Sequence, residues 1–264
     1  MATIEVSGAR VEYRQAGAGR DLVLLHSLLT DLTVFAGIES AFAGSHRLTL
    51  INLPGYGASQ PIEACSVGDY ADHVAAVLEA LELPRACDVF GNGFGGFVAL
   101  ALAVRHGARF ERLMVADALA GFPPPAREPF HLMATKVEAG GMAAVLDAAI
   151  ARMFPPAFVA AHPHIVAERK AALAQADPTA FAHACRALAA LDLAPALGAI
   201  RNRTLIAVGE LDVTTPPAGA KQLAAGITGA QFREIAACGH CPMLEQPQAL
   251  VALMREFLGQ AATR

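Results

Sequence analysis

Cys87-Asp88-Val89-Phe90-Gly91-Asn92-Gly93-Phe94-Gly95-Gly96-Phe97-Val98-Ala99-Leu100 reads as a short apolar strand, a turn crowded with glycine, and the start of an apolar helix. A strand that runs through so sharp a turn directly into a helix points to a layered α/β fold. The frame Gly91-x-Gly93-x-Gly95 is that of a G-x-S-x-G turn, in which the middle residue lifts a serine hydroxyl above the edge of a sheet. Here that residue is glycine, so the frame is present and its hydroxyl is absent.

On either side of this stretch, short apolar runs alternate with helix-like segments. Thr3 to Val6 and Arg10 to Arg14 read as a hairpin joined through Ser7-Gly8-Ala9. Leu22 to His26, Leu48 to Leu53, Val89 to Gly91, Leu113 to Ala116, Thr204 to Val208 and Phe232 to Ala236 read as buried strands, each followed by turn residues. Asp69 to Leu83, Phe94 to His106 and Pro247 to Gly259 have the length and apolar spacing of helices. The alternation predicts a doubly wound, mostly parallel sheet. It is broken once, from about Gly121 to Leu197, where alanine-rich stretches separated by prolines predict only helices. The expected organisation is a core of residues 1–120 and 198–264 with a helical cap, 121–197, inserted between two core strands.

Composition narrows the possible partners. The chain has 264 residues, 55% hydrophobic and 17% charged, which suits one well-packed α/β domain with an insertion and argues against disorder. A net charge of -4 provides no field for a phosphate backbone or an anionic lipid surface, so neither nucleic acid nor membrane is an expected partner. There is no apolar run of about 20 residues to span a bilayer. The start, Met1-Ala2-Thr3-Ile4-Glu5-Val6, lacks the basic and apolar regions of a signal peptide, and five scattered cysteines fit free thiols, so a cytoplasmic protein is expected.

Two further loops carry chemistry. Gly209-Glu210-Leu211-Asp212 follows one strand, and Cys238-Gly239-His240-Cys241-Pro242 follows the next. An acid and then a histidine at successive strand ends, downstream of the Gly93 turn, reproduce the order nucleophile, acid, base of a hydrolytic triad. Asp212 would orient the imidazole, and His240 would take a proton from the nucleophile and return it to the leaving group. Asp117, after the strand Leu113 to Ala116, is an alternative acid.

With these loops in order the chain resembles the α/β-hydrolases, in particular the capped esterases and lactonases that include 3-oxoadipate enol-lactonase. Leu24-Leu25-His26-Ser27-Leu28-Leu29 is similar to the family's oxyanion loop, with Ser27 where many relatives have glycine, and Asn52-Leu53-Pro54-Gly55-Tyr56-Gly57-Ala58-Ser59 is similar to its D-x-P-G-x-G-x-S loop, with Asn52 in place of aspartate. The resemblance implies an oxyanion hole made by the backbone amides of Leu28 and Phe94, substrate contacts from Ser27 and Asn92, a small carboxylic ester or lactone as substrate, and neither cofactor nor metal. It also implies that the nucleophile is replaced by Gly93, so that the chain is an inactivated form of such an enzyme, through descent or alteration. Two alternatives stand beside it: a ligand-binding pseudoenzyme that uses the hydrolase pocket, and an enzyme in which His240 acts as general base on water without a covalent step.

Other motifs have plainer readings. Cys238-Gly239-His240-Cys241 is a C-x-x-C, but it follows a strand rather than opening a long helix, which disfavours redox chemistry, and it has no second ligand pair for zinc. His162-Pro163-His164 reads as solvated, His26 as shaping its loop, and Met133, Met142 and Met153 as packing the cap.

Overall fold

The computed structural model describes residues 1–259. β1 (Ala2–Val6) and β2 (Ala9–Gly17) form the expected hairpin. Its two turn residues, Ser7 and Gly8, have φ of 52° and 80°, the sign a tight two-residue hairpin requires. β3 (Arg20–Leu25), β4 (His46–Ile51), β5 (Asp88–Asn92), β6 (Arg112–Ala116), β7 (Arg203–Gly209) and β8 (Gln231–Ile235) complete one sheet in the order β1-β2-β4-β3-β5-β6-β7-β8. β1 and β2 pair antiparallel, and the pairs from β4 to β8 are parallel.

The helices of the core are α1 (Ala36–Phe42), α2 (Val67–Ala80) and α3 (Phe94–His106). Between β6 and β7 come α4 (Pro124–Gly140), α5 (Leu146–Met153), α6 (Pro156–Ala161), α7 (Pro163–Leu173) and α8 (Pro178–Ala189), followed after β7 by α9 (Pro217–Ala225), α10 (Pro242–Glu245) and α11 (Pro247–Leu258). Neighbouring strand residues face opposite sides of the sheet and enter different cores. Val23, Leu25, Val89 and Val115 pack with α2 and α3, whereas Leu22, Leu24, Phe90 and Met114 pack with α1 and α11. Burial on both faces is why these strands read as continuous apolar runs rather than alternating ones.

Several sequence expectations differ from the structure at their edges. His26, Leu53 and Ala236 lie just beyond their strands, where the chain has already turned into the site loops. α2 starts at Val67, because Ser66 and Asp69 form a reciprocal capping box. α1 and α9 were not expected, since both are short and are interrupted by glycine. Within 121–197 the described elements are helices joined by short turns, with a single bridge between Gly121 and Asp192 that brings those two residues together. No helix of the described residues is long and apolar enough to cross a membrane.

Strand order reverses at β3, which has β4 on one side and β5 on the other. Loops leaving the C-terminal ends of β3 and β5 therefore diverge over a crevice, the usual position of a ligand site in such sheets. The loop after β4 braces this edge. Asn52 Oδ1 accepts from the Leu32 amide at 2.8 Å while its Nδ2 donates to Glu12 Oε2 at 2.7 Å. An aspartate could accept from Leu32 but would set a second carboxylate against Glu12. Asn52→Asp is accordingly expected to destabilise the fold by about 1 to 3 kcal/mol at pH 7, read as a lower urea midpoint, with Glu12→Gln restoring part of the loss. An unchanged midpoint would show that the amide–carboxylate contact is dispensable.

Candidate active site

The turn after β5 is pressed against the end of β3. Gly95 N–H donates to His26 O at 2.9 Å, and Gly93 N–H donates to Ala116 O at 3.0 Å. A Cβ at Gly91 would overlap the Gly95 carbonyl, and one at Gly95 would overlap the Leu25 carbonyl, so the outer glycines are demanded by space. Gly93 has φ 51° and ψ -120°, a conformation that costs a residue with a side chain about 1 to 3 kcal/mol.

What surrounds Gly93 was not visible in the sequence. A Cβ built on it would lie 2.9 Å from His240 Nε2 and 3.0 Å from Ser27 Cβ, and closer still to Ser27 Oγ. The Ser27 side chain thus occupies the ground beside the elbow into which a residue-93 side chain would extend. Among the described residues its hydroxyl has no hydrogen-bond partner, although the residue is 1% exposed. His26 fixes the loop that carries it. Nδ1–H donates to Ser27 O at 2.8 Å and Nε2 accepts from Leu53 N–H at 3.0 Å, while Tyr56 O–H donates to Leu28 O at 2.6 Å.

His240 faces Ser27 from the loop after β8. Its Nδ1 is 2.8 Å from Asp212 Oδ2, and its backbone N–H donates to Met153 O at 3.0 Å, tying the loop to α5. Glu245 accepts from the amides of Gly239 at 2.7 Å and Cys241 at 2.9 Å and so holds the turn on both sides of the imidazole. Asp212 Oδ1 accepts from Thr214 N–H at 2.7 Å and Thr215 N–H at 3.0 Å. Burial by itself would push the Asp212 carboxyl upward, but the neighbouring His240 and the bonds from Thr215 outweigh it and hold the group well below the usual carboxylate range.

Asp212, and not Asp117, meets the imidazole. Asp117 sits behind the pair with φ 55°, its oxygens accepting from Asn92 Nδ2 and Gly209 N–H, each at 2.9 Å. Burial, and then the charge of Asp212, push its carboxyl well above the usual range. Asn92 is not brought to the pocket: its amide is fully buried, donating to Asp117 and to His240 O at 3.1 Å, and it braces the histidine loop from behind. The remaining residues expected at the site come together. Ser27, Leu28, Gly93, Phe94 and His240 line one cavity of about 20 Å³, room for about one water molecule. Among the described residues neither the Leu28 nor the Phe94 amide donates to a backbone carbonyl of the surrounding loops.

Other walls of the cavity were missed. Phe122, Phe130, Met133 and Leu188 come from the segment between β6 and β7 and make it apolar, and Met133 alone of the three cap methionines reaches it. Arg152 adds a cation, with its guanidinium 5.3 Å from the Phe130 ring centroid. It also lines an outer groove of about 750 Å³ that runs between Met153–Pro156 and the Asp212 loop. Pocket-facing positions on helices depend on how each helix is rotated, which alanine-rich sequence does not reveal.

Asp117, Asp212 and His240 place one potential metal-ligand atom each within 4.8 Å of one another. All three side chains already take part in the hydrogen bonds above. Cys238 and Cys241 are free and fully buried, and burial pushes both thiols upward, opposite to the shift that redox-active thiols need.

The alpha/beta hydrolase family model matches residues 22–253. This chain belongs to the α/β-hydrolase family. It is 27% identical over 237 residues to 3-oxoadipate enol-lactonase 1 of Acinetobacter baylyi, covering 90% of this chain and 88% of that one. It is 30% identical to 2-hydroxymuconate semialdehyde hydrolase of a Pseudomonas species, covering 98% and 93%. Among solved structures, the enol-lactonase of Burkholderia xenovorans superposes with a TM-score of 0.91 at 26% identity, covering 98% of this chain and all of that one.

Two outcomes follow from the site geometry. Gly93→Ser should cost about 1 to 3 kcal/mol of stability through its positive φ, and Ser27→Gly in the same chain should recover more than additivity allows, a coupling of about 0.5 kcal/mol or more in urea denaturation of the four variants. Strict additivity would mean that the two side chains do not compete. Burial of His26 lowers its pKa from 6.5 to about 4. The folded state therefore binds fewer protons than the unfolded chain between those values. Its contribution is present above pH 6.5 and is lost as pH falls toward 4, by about 3 kcal/mol. His26→Gln should flatten the dependence of the urea midpoint on pH in that window; an equally steep dependence would assign it to other groups.

Proposed function

We propose that this chain acts on a small carboxylic ester or lactone, with His240 as general base, Asp212 as its orienting acid, and the Leu28 and Phe94 amides as the oxyanion hole. The observation that carries the reading is that His240, Leu28 and Phe94 line one small apolar cavity while Asp212 holds His240 Nδ1. Two aligned donors in so dry a place stabilise a developing oxyanion by about 3 kcal/mol each. The enol-lactonase relatives support the substrate class, and the helices between β6 and β7 act as a cap whose side chains part to admit substrate from the outer groove.

Gly93 closes the usual covalent route. With no side chain at the elbow, an acyl-enzyme cannot form at residue 93, and loss of a nucleophile in such sites lowers turnover by as much as ~10⁶-fold. Along that route the chain is an inactivated hydrolase, and what remains is proton transfer by His240 to and from an oxygen nucleophile held elsewhere in the pocket.

Hydrolysis of p-nitrophenyl acetate and of a small lactone by the unaltered chain should be slow but measurable, and His240→Ala should reduce it about 100-fold or more. Equal rates with and without the imidazole would defeat this reading. Tight binding of a small molecule, indifferent to His240→Ala, would instead establish a pseudoenzyme.

A further inference from the structure

Gly93 and Ser27, from the turns after β5 and β3, lie side by side at the edge of the sheet. A Cβ built on Gly93 would overlap the Ser27 hydroxyl and lie 2.9 Å from His240 Nε2, so the hydroxyl and the imidazole flank the same point from two loops. Both the hydroxyl and Nε2 lack hydrogen-bond partners among the described residues, and both border the cavity. The hydroxyl is therefore not committed elsewhere and is available to a reacting group in the cavity that Ser27 lines. Thr214 and Thr215 also line the cavity, but their hydroxyls are committed, to Arg152 O and to Asp212 respectively.

We propose that Ser27 supplies the nucleophilic hydroxyl that residue 93 lacks. The proposal rests on the ester or lactone reading above and names the oxygen on which His240 works. Rotation about the Ser27 Cα–Cβ bond brings Oγ toward Nε2, a short adjustment of the kind often completed only when substrate binds. Oγ then attacks the substrate carbonyl carbon as its proton passes to Nε2. The C–O bond to the leaving group breaks, the leaving oxygen takes that proton from His240, and the acyl group remains on Ser27 Oγ. Water attacks the acyl carbon, gives one proton to Nε2, and the bond to Ser27 breaks with Oγ recovering the proton. The substrate gains one water in total, and the protein is unchanged.

The loop suits the task in a second respect. In the usual elbow the amide of the residue following the nucleophile serves the oxyanion, and the residue following Ser27 is Leu28. Leu28 is anchored by its carbonyl to Tyr56, and Ser27 is anchored by its amide to Thr30 Oγ1 at 3.1 Å and by its carbonyl to His26, so the backbone on both sides of the hydroxyl is fixed. The relocated hydroxyl keeps the Asp212–His240 pair and exchanges only which loop presents the oxygen.

The experiment is labelling of the unaltered full-length chain with a fluorophosphonate, peptide mapping by mass spectrometry, and parallel rates on p-nitrophenyl acetate. A single phosphonyl group on the peptide containing Ser27, absent from Ser27→Ala and His240→Ala, with the Ser27→Ala rate about 100-fold lower or less, is the expected result. The doubly substituted Ser27→Gly, Gly93→Ser chain should carry the label at position 93 instead. Circular dichroism melting of each variant separates loss of chemistry from loss of fold. Hydrolysis that persists in Ser27→Ala within twofold, with no adduct on Ser27, overturns this proposal and leaves His240 acting on water. A large gain in rate from Gly93→Ser alone also overturns it. Labelling of Ser27 without any turnover of esters or lactones upholds the nucleophile and overturns the substrate reading.

Discussion

The close approach of the turn after β5 to the end of β3 is the constraint on which the site depends. The outer glycines, Gly91 and Gly95, have backbone carbonyls where a Cβ would stand, and the Gly95 amide is bonded to His26 O. That contact fixes residue 93 against the loop carrying Ser27 and Leu28 and brings Phe94 to the same cavity. The parallel sheet makes the approach possible because strand order reverses at β3, leaving two diverging loops with nothing between them but what their own side chains supply. A larger residue at 91 or 95 would separate the loops, and with them Leu28 and Phe94.

Electrostatics divides the labour behind that contact. Two buried carboxyls, Asp212 and Asp117, stand close to one histidine, and like charges at such range are not both ionised in a dry interior. Hydrogen bonds decide which one carries the charge. Asp212 has His240, two backbone amides and the Thr215 hydroxyl, all of which favour the carboxylate. Asp117 has one amide and the Asn92 side chain, too little to offset its burial. The second acid therefore serves as a polar brace, and Asn92 passes that support to the histidine loop through His240 O.

Much of this was legible from the chain. Gly93, Asp212 and His240 could be located because each lies directly after an apolar strand and keeps company with turn residues, and parallel strands bring such positions to one edge whatever lies between them. The strands read well because burial on both faces makes them uniformly apolar. What could not be read were directions. Asn92 adjoins Gly93 in sequence yet points behind the sheet edge, since successive residues of a strand face opposite sides. Phe130, Met133 and Arg152 lie on helices of weak patterning, where nothing in the spacing says which residues face the pocket. His26 was read as shaping its loop, and the structure supplies the two bonds by which it does so.

The contact between Ser27 and Gly93 couples the turn after β5 to the loop after β3. A side chain at 93 would need room that the loop after β3 takes up. Residue 27 carries a hydroxymethyl group that fills part of that room, and adding a side chain at 93 brings it against Ser27 Oγ, Ser27 Cβ and His240 Nε2 together. Glycine at 93 relieves the backbone cost of a positive φ, and the serine side chain at 27 packs where the relief leaves space. The two residues are then one feature of the packing, and a change at either is felt at the other. The elbow keeps its shape because Gly91 and Gly95 leave room for the close backbone approach, whatever residue stands at its tip.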